Sequence, residues 1–331
     1  MRILRFTGIV FLVFLAVVFT LPLLMKSTAE TSQSITINAS AQTVFRQVNS
    51  FRNWQKWSPF ETGDPEMISV YEGPAQGVGN KHSWKSDVMD DGSMINLQSE
   101  PYRFIQNLLD MNGNGKAFDE WTFSETAEGV KVTWTLKMSE LKYPFHRYFG
   151  FFIESLMRPM QEKGLAKLKE ISEAIPPSVS ITLEERPEIL AVAIYDSAMM
   201  NQIEQMSNDL YKELKQSMRS GRVNAAGPAF AVYYNWTEDT PIRMRACFPV
   251  AEEVRENGRM NLYSLPGGKV LKAEWKGSYE GLEKVHMDMD AYMADFGLKL
   301  RGAGVWEEYI VGPEDNPNPS EWITHVFYPV E

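Results

Sequence analysis

Two neighbouring glutamates near the C-terminus are the residues of this sequence best suited to chemistry. Glu307 and Glu308 lie in Gly304–Val311, a segment that is predicted to be a strand. Side chains alternate between the two faces of a strand, so Glu307 shares a face with Tyr309, and Glu308 shares the other with Trp306. Because both faces carry apolar residues, we expect one carboxylate in apolar surroundings, although alternation does not say which. Such a carboxylate either pairs with a cationic ligand or acts, with a raised pKa, as a general base.

Aromatic side chains form a second set of candidate site residues. Their faces stabilise a bound cation by roughly 0.5–2 kcal/mol each, and they equally serve as core residues. Both interpretations stay open for the candidate ligand contacts Tyr233, Tyr234, Trp236, Trp275, Tyr279, Trp306 and Tyr309. The same holds in the first half of the chain for Trp54, Trp57, Trp84, Trp121 and Trp134.

Several other kinds of site have no support in the sequence. The histidines His82, His146, His286 and His325 are scattered without metal-ligand spacing, so we expect no metal. Cys247 is the only cysteine and is expected to be an inert buried thiol. No phosphate-binding glycine loop or Gly-x-Ser-x-Gly elbow is present, and we expect no cofactor. The net charge of −10 argues against binding to nucleic acid.

The N-terminal segment 7–25 carries no charge and is rich in aliphatic and aromatic residues. As a helix it would extend roughly 28 Å, close to the hydrocarbon thickness of a bilayer. Arg2 and Arg5 precede it, which places residues 1–6 in the cytoplasm. We therefore expect a single-pass membrane protein whose domains lie on the outer side, periplasmic or extracellular. The alternative is secretion after signal cleavage near Ser27-Thr28-Ala29. Either suits a bacterial envelope protein.

Two blocks that position the candidate residues follow, divided by a proline-rich linker at 174–180. The first block, 33–173, begins with a short strand, continues with strand-like stretches separated by turn residues, and ends in a helix at 144–173. This is an α+β order. The second block, 181–331, contains the order β-α-β-β twice. A duplicated unit commonly places a ligand pocket at the seam between its halves.

Three parts of the first block carry a likeness to a known family: Ile35–Ala41 with Val44-Phe45, Trp54–Phe60 and Gly77–Gly79. With them the block resembles the START-like, polyketide-cyclase-type (SRPBCC) domains, whose helix-grip fold wraps a curved antiparallel sheet around a long helix. The resemblance implies a cavity between sheet and helix, and a hydrophobic ligand in it.

Five segments of the second block carry another likeness: Gly227–Tyr234, Leu265–Lys269, Lys276–Glu280, Trp306–Ile310 and Phe327–Val330. The block is similar to the GyrI-like effector-binding domain, which also forms the drug-sensing half of some AraC- and MerR-type regulators. No helix-turn-helix precedes it, so we expect no direct control of transcription. The resemblance selects Glu307 as the pocket carboxylate, because the family's pocket glutamate stands two residues before a tyrosine.

The leading functional hypothesis is a membrane-anchored, non-enzymatic protein that binds an amphipathic or cationic small molecule in its second block. The alternative is a hydrolase of small electrophilic or toxic compounds, which the resemblance also implies, with Glu307 as general base beside Tyr233 or Tyr279. A third hypothesis is a scaffold whose first block docks an unidentified protein partner.

Overall fold

The computed structural model describes residues 2–112, 115–237, 239–302 and 304–331. The chain divides into two compact units, Met1–Pro177 and Ser178–Glu331. Each unit contains one antiparallel sheet and helices packed against it. The α+β prediction is therefore confirmed for both halves of the chain.

The chain begins with helix α1 (Arg2–Leu24), which contains Pro22 near its end. Across the described residues, no helix combines the length and the apolar character needed to cross a bilayer. The single-pass localisation predicted from segment 7–25, with the domains outside, is therefore wrong. Met1, which belongs to the predicted cytoplasmic residues 1–6, lies outside the described part of the chain.

The first unit then continues with a seven-stranded meander. Its elements are β1 (Ala29–Ile37), α2 (Ala41–Asn49), α3 (Phe51–Trp54), β2 (Ile68–Glu72), β3 (Lys81–Lys85), β4 (Gly92–Glu100), β5 (Phe104–Asp110), β6 (Lys116–Thr126), β7 (Gly129–Met138) and α4 (Phe145–Glu173). The strand order is β1-β7-β6-β5-β4-β3-β2, so the first strand pairs with the last. Helix α2 begins after Ser40, whose hydroxyl accepts a hydrogen bond from the Thr43 amide at 3.1 Å and caps the helix.

Tryptophans fill the core of this unit. Trp121 and Trp134 stack with their ring centroids 4.6 Å apart, and Trp57 meets Trp121 edge-on at 5.5 Å. Both stacked indoles donate to the buried Asp119, at 2.8 Å and 2.5 Å, and Asn107 donates at 2.9 Å. Burial raises the pKa of Asp119 to about 6, while the three N–H donors act in the opposite direction. Of the two interpretations, the structure shows core packing for Trp54, Trp57, Trp121 and Trp134, whereas Trp84 is only partly buried and lies outside this core.

The second unit contains an eight-stranded sheet and two principal helices. Its elements are β8 (Ile181–Arg186), β9 (Ile189–Ala198), α5 (Ile203–Gly221), β10 (Phe230–Tyr233), β11 (Ile242–Pro249), β12 (Asn261–Leu265), β13 (Gly268–Lys276), α6 (Leu282–Phe296), β14 (Val305–Val311) and β15 (Ile323–Pro329). The strand order is β12-β9-β11-β10-β14-β15-β13-β8.

This order extends the predicted repeat by one strand in each half. Strand β8 precedes the first half of the repeat in sequence but pairs with β13 of the second half. Strand β12 precedes the second half but pairs with β9 of the first. Each half is therefore β-β-α-β-β, with its leading strand exchanged into the other half.

The two faces of this sheet have different neighbours. Helices α5 and α6 pack against one face, in clusters that include Ala231 of β10 and Val326 of β15. The register pairs Ala231 with Glu307 and Glu307 with Val326, which places Glu307 on this helix face. The opposite face, called the far face below, carries a separate apolar cluster that includes Trp306 and Phe327.

Candidate functional site

Glu307 lies where the two halves of the sheet meet, because β10 and β14 are its central pair. Gly304, just before β14, has φ +87°, and a Cβ there would come within 2.4 Å of the Tyr233 carbonyl oxygen. Glycine thus permits the close approach of the two strands at this point. Directly opposite Glu307, the first half of the repeat contributes only Ala231. The carboxylate at the seam therefore comes from one half alone.

The Glu307 side chain is buried and hydrogen-bonded at both oxygens. Oε1 lies 2.9 Å from Nε2 of His286 on α6, and Oε2 accepts from the Tyr309 hydroxyl at 2.9 Å. Because a carboxylate oxygen accepts, His286 Nε2 carries the proton that it donates. The chain of polar contacts continues on both sides: Tyr233 and Tyr309 hydroxyls are 3.3 Å apart, and His286 Nδ1 is 3.1 Å from the Tyr328 hydroxyl.

Aromatic rings surround this hydrogen-bonded chain. The Tyr279 ring lies 5.5 Å from that of Tyr309 and 4.8 Å from that of Trp322. Tyr211 of α5 meets Tyr309 edge-on at 6.2 Å. Four aromatic side chains thus meet beside a single buried carboxylate.

The tyrosine hydroxyls near Glu307 are held in their protonated form. Burial first, and the Glu307 charge second, raise the pKa of Tyr233 and of Tyr309 well above its ordinary value. The same two causes raise the pKa of Tyr279 to about 12. These hydroxyls therefore keep their protons around neutral pH, and that of Tyr309 donates to the carboxylate.

Within the described residues, Glu307 has no lysine or arginine partner, and its one basic neighbour is the His286 imidazole, which carries a charge only when it is protonated. Buried carboxylates ordinarily pair with a cation because an isolated buried charge is costly. The arrangement can therefore accept a positive charge from outside the protein, and its hydrogen-bonded chain can move a proton.

The structure gathers only some of the residues that the sequence predicted. Glu307, Tyr233, Tyr279 and Tyr309 lie together, and Trp236 contacts Tyr233 at 5.5 Å while remaining 58% exposed, at the edge of the cluster.

Of the other three predicted contacts, Trp275 lies on the helix face in the same apolar cluster as Tyr279, and two lie on the far face. Trp275 donates to the Ser278 carbonyl at 2.9 Å, so it supports the turn that begins at Tyr279. Tyr234 and Trp306 pack in the far-face cluster, on the side of the sheet away from Glu307. They were predicted as ligand contacts, but the alternation of side chains along β10 and β14 places them on the face opposite to Glu307.

Four residues of the cluster were not predicted: Tyr211, His286, Trp322 and Tyr328. For His286 the sequence does contain an indication, because it follows Leu282 by four residues and precedes Met289 by three on the buried stripe of α6.

Comparison with solved structures finds several matches of low sequence identity. The C-terminal domain of EcmrR is 19% identical over 46% of this chain and 98% of its own, with a TM-score of 0.42. A hydrolase from Listeria innocua is 15% identical over 49% of this chain and 98% of its own, with a TM-score of 0.34. The structure of SAV2435 bound to tetraphenylphosphonium is 13% identical over 46% of this chain and 94% of its own, with a TM-score of 0.35.

Comparison with known families finds two matches, whereas no curated protein matches the chain. Residues 28–173 match the family described as polyketide cyclase / dehydrase and lipid transport. Residues 180–331 match the GyrI-like small molecule binding domain. The families and their order are those predicted from the sequence, and both are of small-molecule-binding types.

Proposed function

We propose, from the premise that this chain carries a polyketide-cyclase-type domain followed by a GyrI-like small-molecule-binding domain, that the second domain binds small amphipathic cations beside Glu307. The observation that carries the proposal is the buried Glu307 carboxylate, whose described partners are one tyrosine hydroxyl and one imidazole. A monovalent organic cation supplies the missing positive charge without a protein side chain.

The aromatic rings supply the apolar part of the interaction. A delocalised cation placed over Tyr279, Tyr309 or Trp322 gains roughly 0.5–2 kcal/mol per ring. These rings contact one another, so a bound ligand must separate at least two of them. Tyr279 is the ring expected to move, because it is half-buried and belongs to the short turn Tyr279–Gly281 rather than to a strand.

The test compares two probes of similar shape and different charge. Methyltriphenylphosphonium carries one positive charge, and triphenylphosphine oxide is neutral. Titration of each into the full chain by isothermal calorimetry should show saturable one-to-one binding of the cation and much weaker binding of the oxide. Equal affinity for the two probes would leave only a hydrophobic interaction and would contradict the proposed role of the carboxylate.

A hydrolase remains the second candidate, because Glu307 is joined by hydrogen bonds to His286 and Tyr309 in a chain that suits proton transfer. Here Glu307 would take a proton from a water molecule whose oxygen attacks a carbon of a strained electrophile such as an epoxide. The ring C–O bond breaks, and the hydroxyl of Tyr233 or Tyr279 would give a proton to the leaving oxygen. Incubation with styrene oxide separates the two candidates. Diol formation that is lost in a folded Glu307→Gln variant favours the hydrolase, and absence of turnover together with cation binding favours the binding protein.

For the first domain, an apolar ligand stays a hypothesis that rests on the domain type. Its core tryptophans pack against one another, so we do not propose them as contacts of that ligand. Native mass spectrometry of the purified chain tests the hypothesis: an apolar molecule retained equally by the wild type and by Glu307→Gln supports it, whereas a molecule lost with Glu307 belongs to the second domain.

A further inference from the structure

A guanidinium surrounded by tyrosines lies on the far face of the second sheet. Arg245 is the cation, with its Cζ 5.1 Å from the ring centroid of Tyr195, 5.9 Å from that of Tyr234 and 4.9 Å from that of Tyr263. Its Nε donates to the Tyr234 hydroxyl at 2.8 Å. Strand pairing sets Arg245 directly opposite Tyr195. The guanidinium is therefore held in place by contacts to three rings and one hydrogen bond.

The polar partners of this guanidinium are few among the residues that the structure describes. Within the described residues, no carboxylate forms an ion pair with Arg245, and neither of its Nη atoms has a hydrogen-bond acceptor. The arginines Arg186 and Arg259 show the contrast, since each pairs with two carboxylates. A guanidinium carries five N–H donors in a planar fork that fits a carboxylate. At Arg245 four of these N–H groups remain available.

A second donor without an acceptor lies in the same row of the sheet. Val232 pairs with Arg245 on one side and with Trp306 on the other, so the two residues are two strands apart on the far face and about 10 Å from each other. The Trp306 indole nitrogen is buried and has no acceptor among the described residues. Trp306 is only 2% exposed, whereas Arg245 is half-buried, so Arg245 is the donor in this row that an anion can reach from solvent.

We propose that the far face binds a small aromatic carboxylate at Arg245. The carboxylate takes two parallel hydrogen bonds from the Nη atoms, and its ring packs among Tyr195, Tyr234 and Tyr263. Arg245 is half-buried and Tyr195 is 43% exposed, so the site is reachable from solvent. The net charge of −10 disfavours polyanions such as polyphosphates, whereas a singly charged planar anion fits the fork and the rings. This site is independent of the cation site, because Glu307 lies on the helix face.

The test titrates 2-naphthoate, and its neutral analogue 2-naphthamide, into the full chain by isothermal calorimetry. We expect one-to-one binding of naphthoate and at least tenfold weaker binding of naphthamide. Arg245→Gln should weaken naphthoate at least tenfold, and Arg245→Lys, which keeps the charge but loses the fork, should also weaken it. Arg243→Gln is the control, because Arg243 is an exposed arginine of the same strand.

Three outcomes would overturn the proposal: no naphthoate binding at millimolar concentration, equal affinity for the amide, or unchanged affinity in both Arg245 variants. Thermal melts verify that each variant is folded, and Arg245→Lys decides the matter if Arg245→Gln is not. Unchanged naphthoate affinity in Glu307→Gln is expected as well, so that failure of the cation site and failure of the anion site are separately visible.

Discussion

Replacing Glu307 by glutamine should weaken the binding of an organic cation by roughly two orders of magnitude. Gln keeps the size and planarity of the side chain and removes its charge. A cation that takes the place of the Tyr279 ring, which packs against the Tyr309 ring, would lie one aromatic ring away from the carboxylate, and we take about 5.5 Å as the separation of the two charges. At that distance and an effective dielectric constant of about 20, the attraction between two unit charges is about 3 kcal/mol, which corresponds to roughly 100-fold in Kd.

The assay is calorimetric titration with methyltriphenylphosphonium, and the neighbouring residue provides a matched control. Glu308 is as buried as Glu307, at 6% exposure for both residues. It faces the opposite side of the sheet, however, where it accepts from Arg186 at 2.9 Å. Glu308→Gln thus removes one buried negative charge at nearly the same position in the chain without touching the proposed cation site.

The reasoning predicts a difference between the two variants. Glu307→Gln should lose affinity for the phosphonium and keep its weak affinity for triphenylphosphine oxide, while Glu308→Gln should bind both probes as the wild type does. A similar loss of affinity in both variants would indicate a general effect of net charge. Wild-type affinity in a folded Glu307→Gln variant would refute the role assigned to this carboxylate.

Four further predictions concern the surroundings of the site and the first unit. His286→Ala removes the imidazole donor to Glu307 and should therefore strengthen cation binding, by calorimetry, whereas weaker binding would indicate that His286 mainly positions the carboxylate. Gly304→Ala should lower the melting temperature of the second unit, since the new Cβ would overlap the Tyr233 carbonyl oxygen at φ +87°, at a cost of about 2 kcal/mol or more; an unchanged melt would contradict this. Asp119→Asn turns an NH₂ group toward one of three N–H donors and should destabilise the first unit by about 1–3 kcal/mol in urea unfolding, with the exposed Asp87→Asn as control. Burial raises the pKa of Glu61 from 4.5 to about 8, so its stabilising contribution is complete below pH 4.5 and is lost as the pH rises through 8. The first unit should then melt at a lower temperature at pH 9 than at pH 6, and a pH dependence that Glu61→Gln leaves intact would assign the effect to another group.

Strand β14 shows which features of the site could be predicted from the sequence and which could not. Alternation along the strand separated Glu307 with Tyr309 from Glu308 with Trp306 correctly, because side-chain direction in a strand is a local property. Which of the two faces meets the helices depends on how α5 and α6 pack, and the residues of β14 do not contain that information. The resemblance to the GyrI-like domains selected Glu307, and the packing of the helices shows the environment that surrounds it.

The pairing of β8 and β12 with the opposite halves of the repeat is a feature of the fold that the sequence did not predict. The repeat of strand, helix and two strands was visible because hydrophobic periodicity and turn residues act over a few neighbouring positions. The leading strand of each half pairs with the other half, and hydrogen bonds between distant segments leave no periodic trace in either one. The N-terminal segment is another case, where an apolar composition predicted a membrane span and the described helices contain none.

The sequence by itself determined the families of the two domains, their order, the α+β class and the carboxylate worth testing, because these depend on local patterns and motifs. Only the tertiary structure decided that His286 and Tyr328 extend the hydrogen bonds of Glu307, that Tyr234 and Trp306 lie on the far face, and that Arg245 has no carboxylate partner among the described residues. Each of these depends on which distant side chains meet when helices and strands pack. Residues that meet in this way have no fixed spacing in the sequence, so no local pattern predicts the contact.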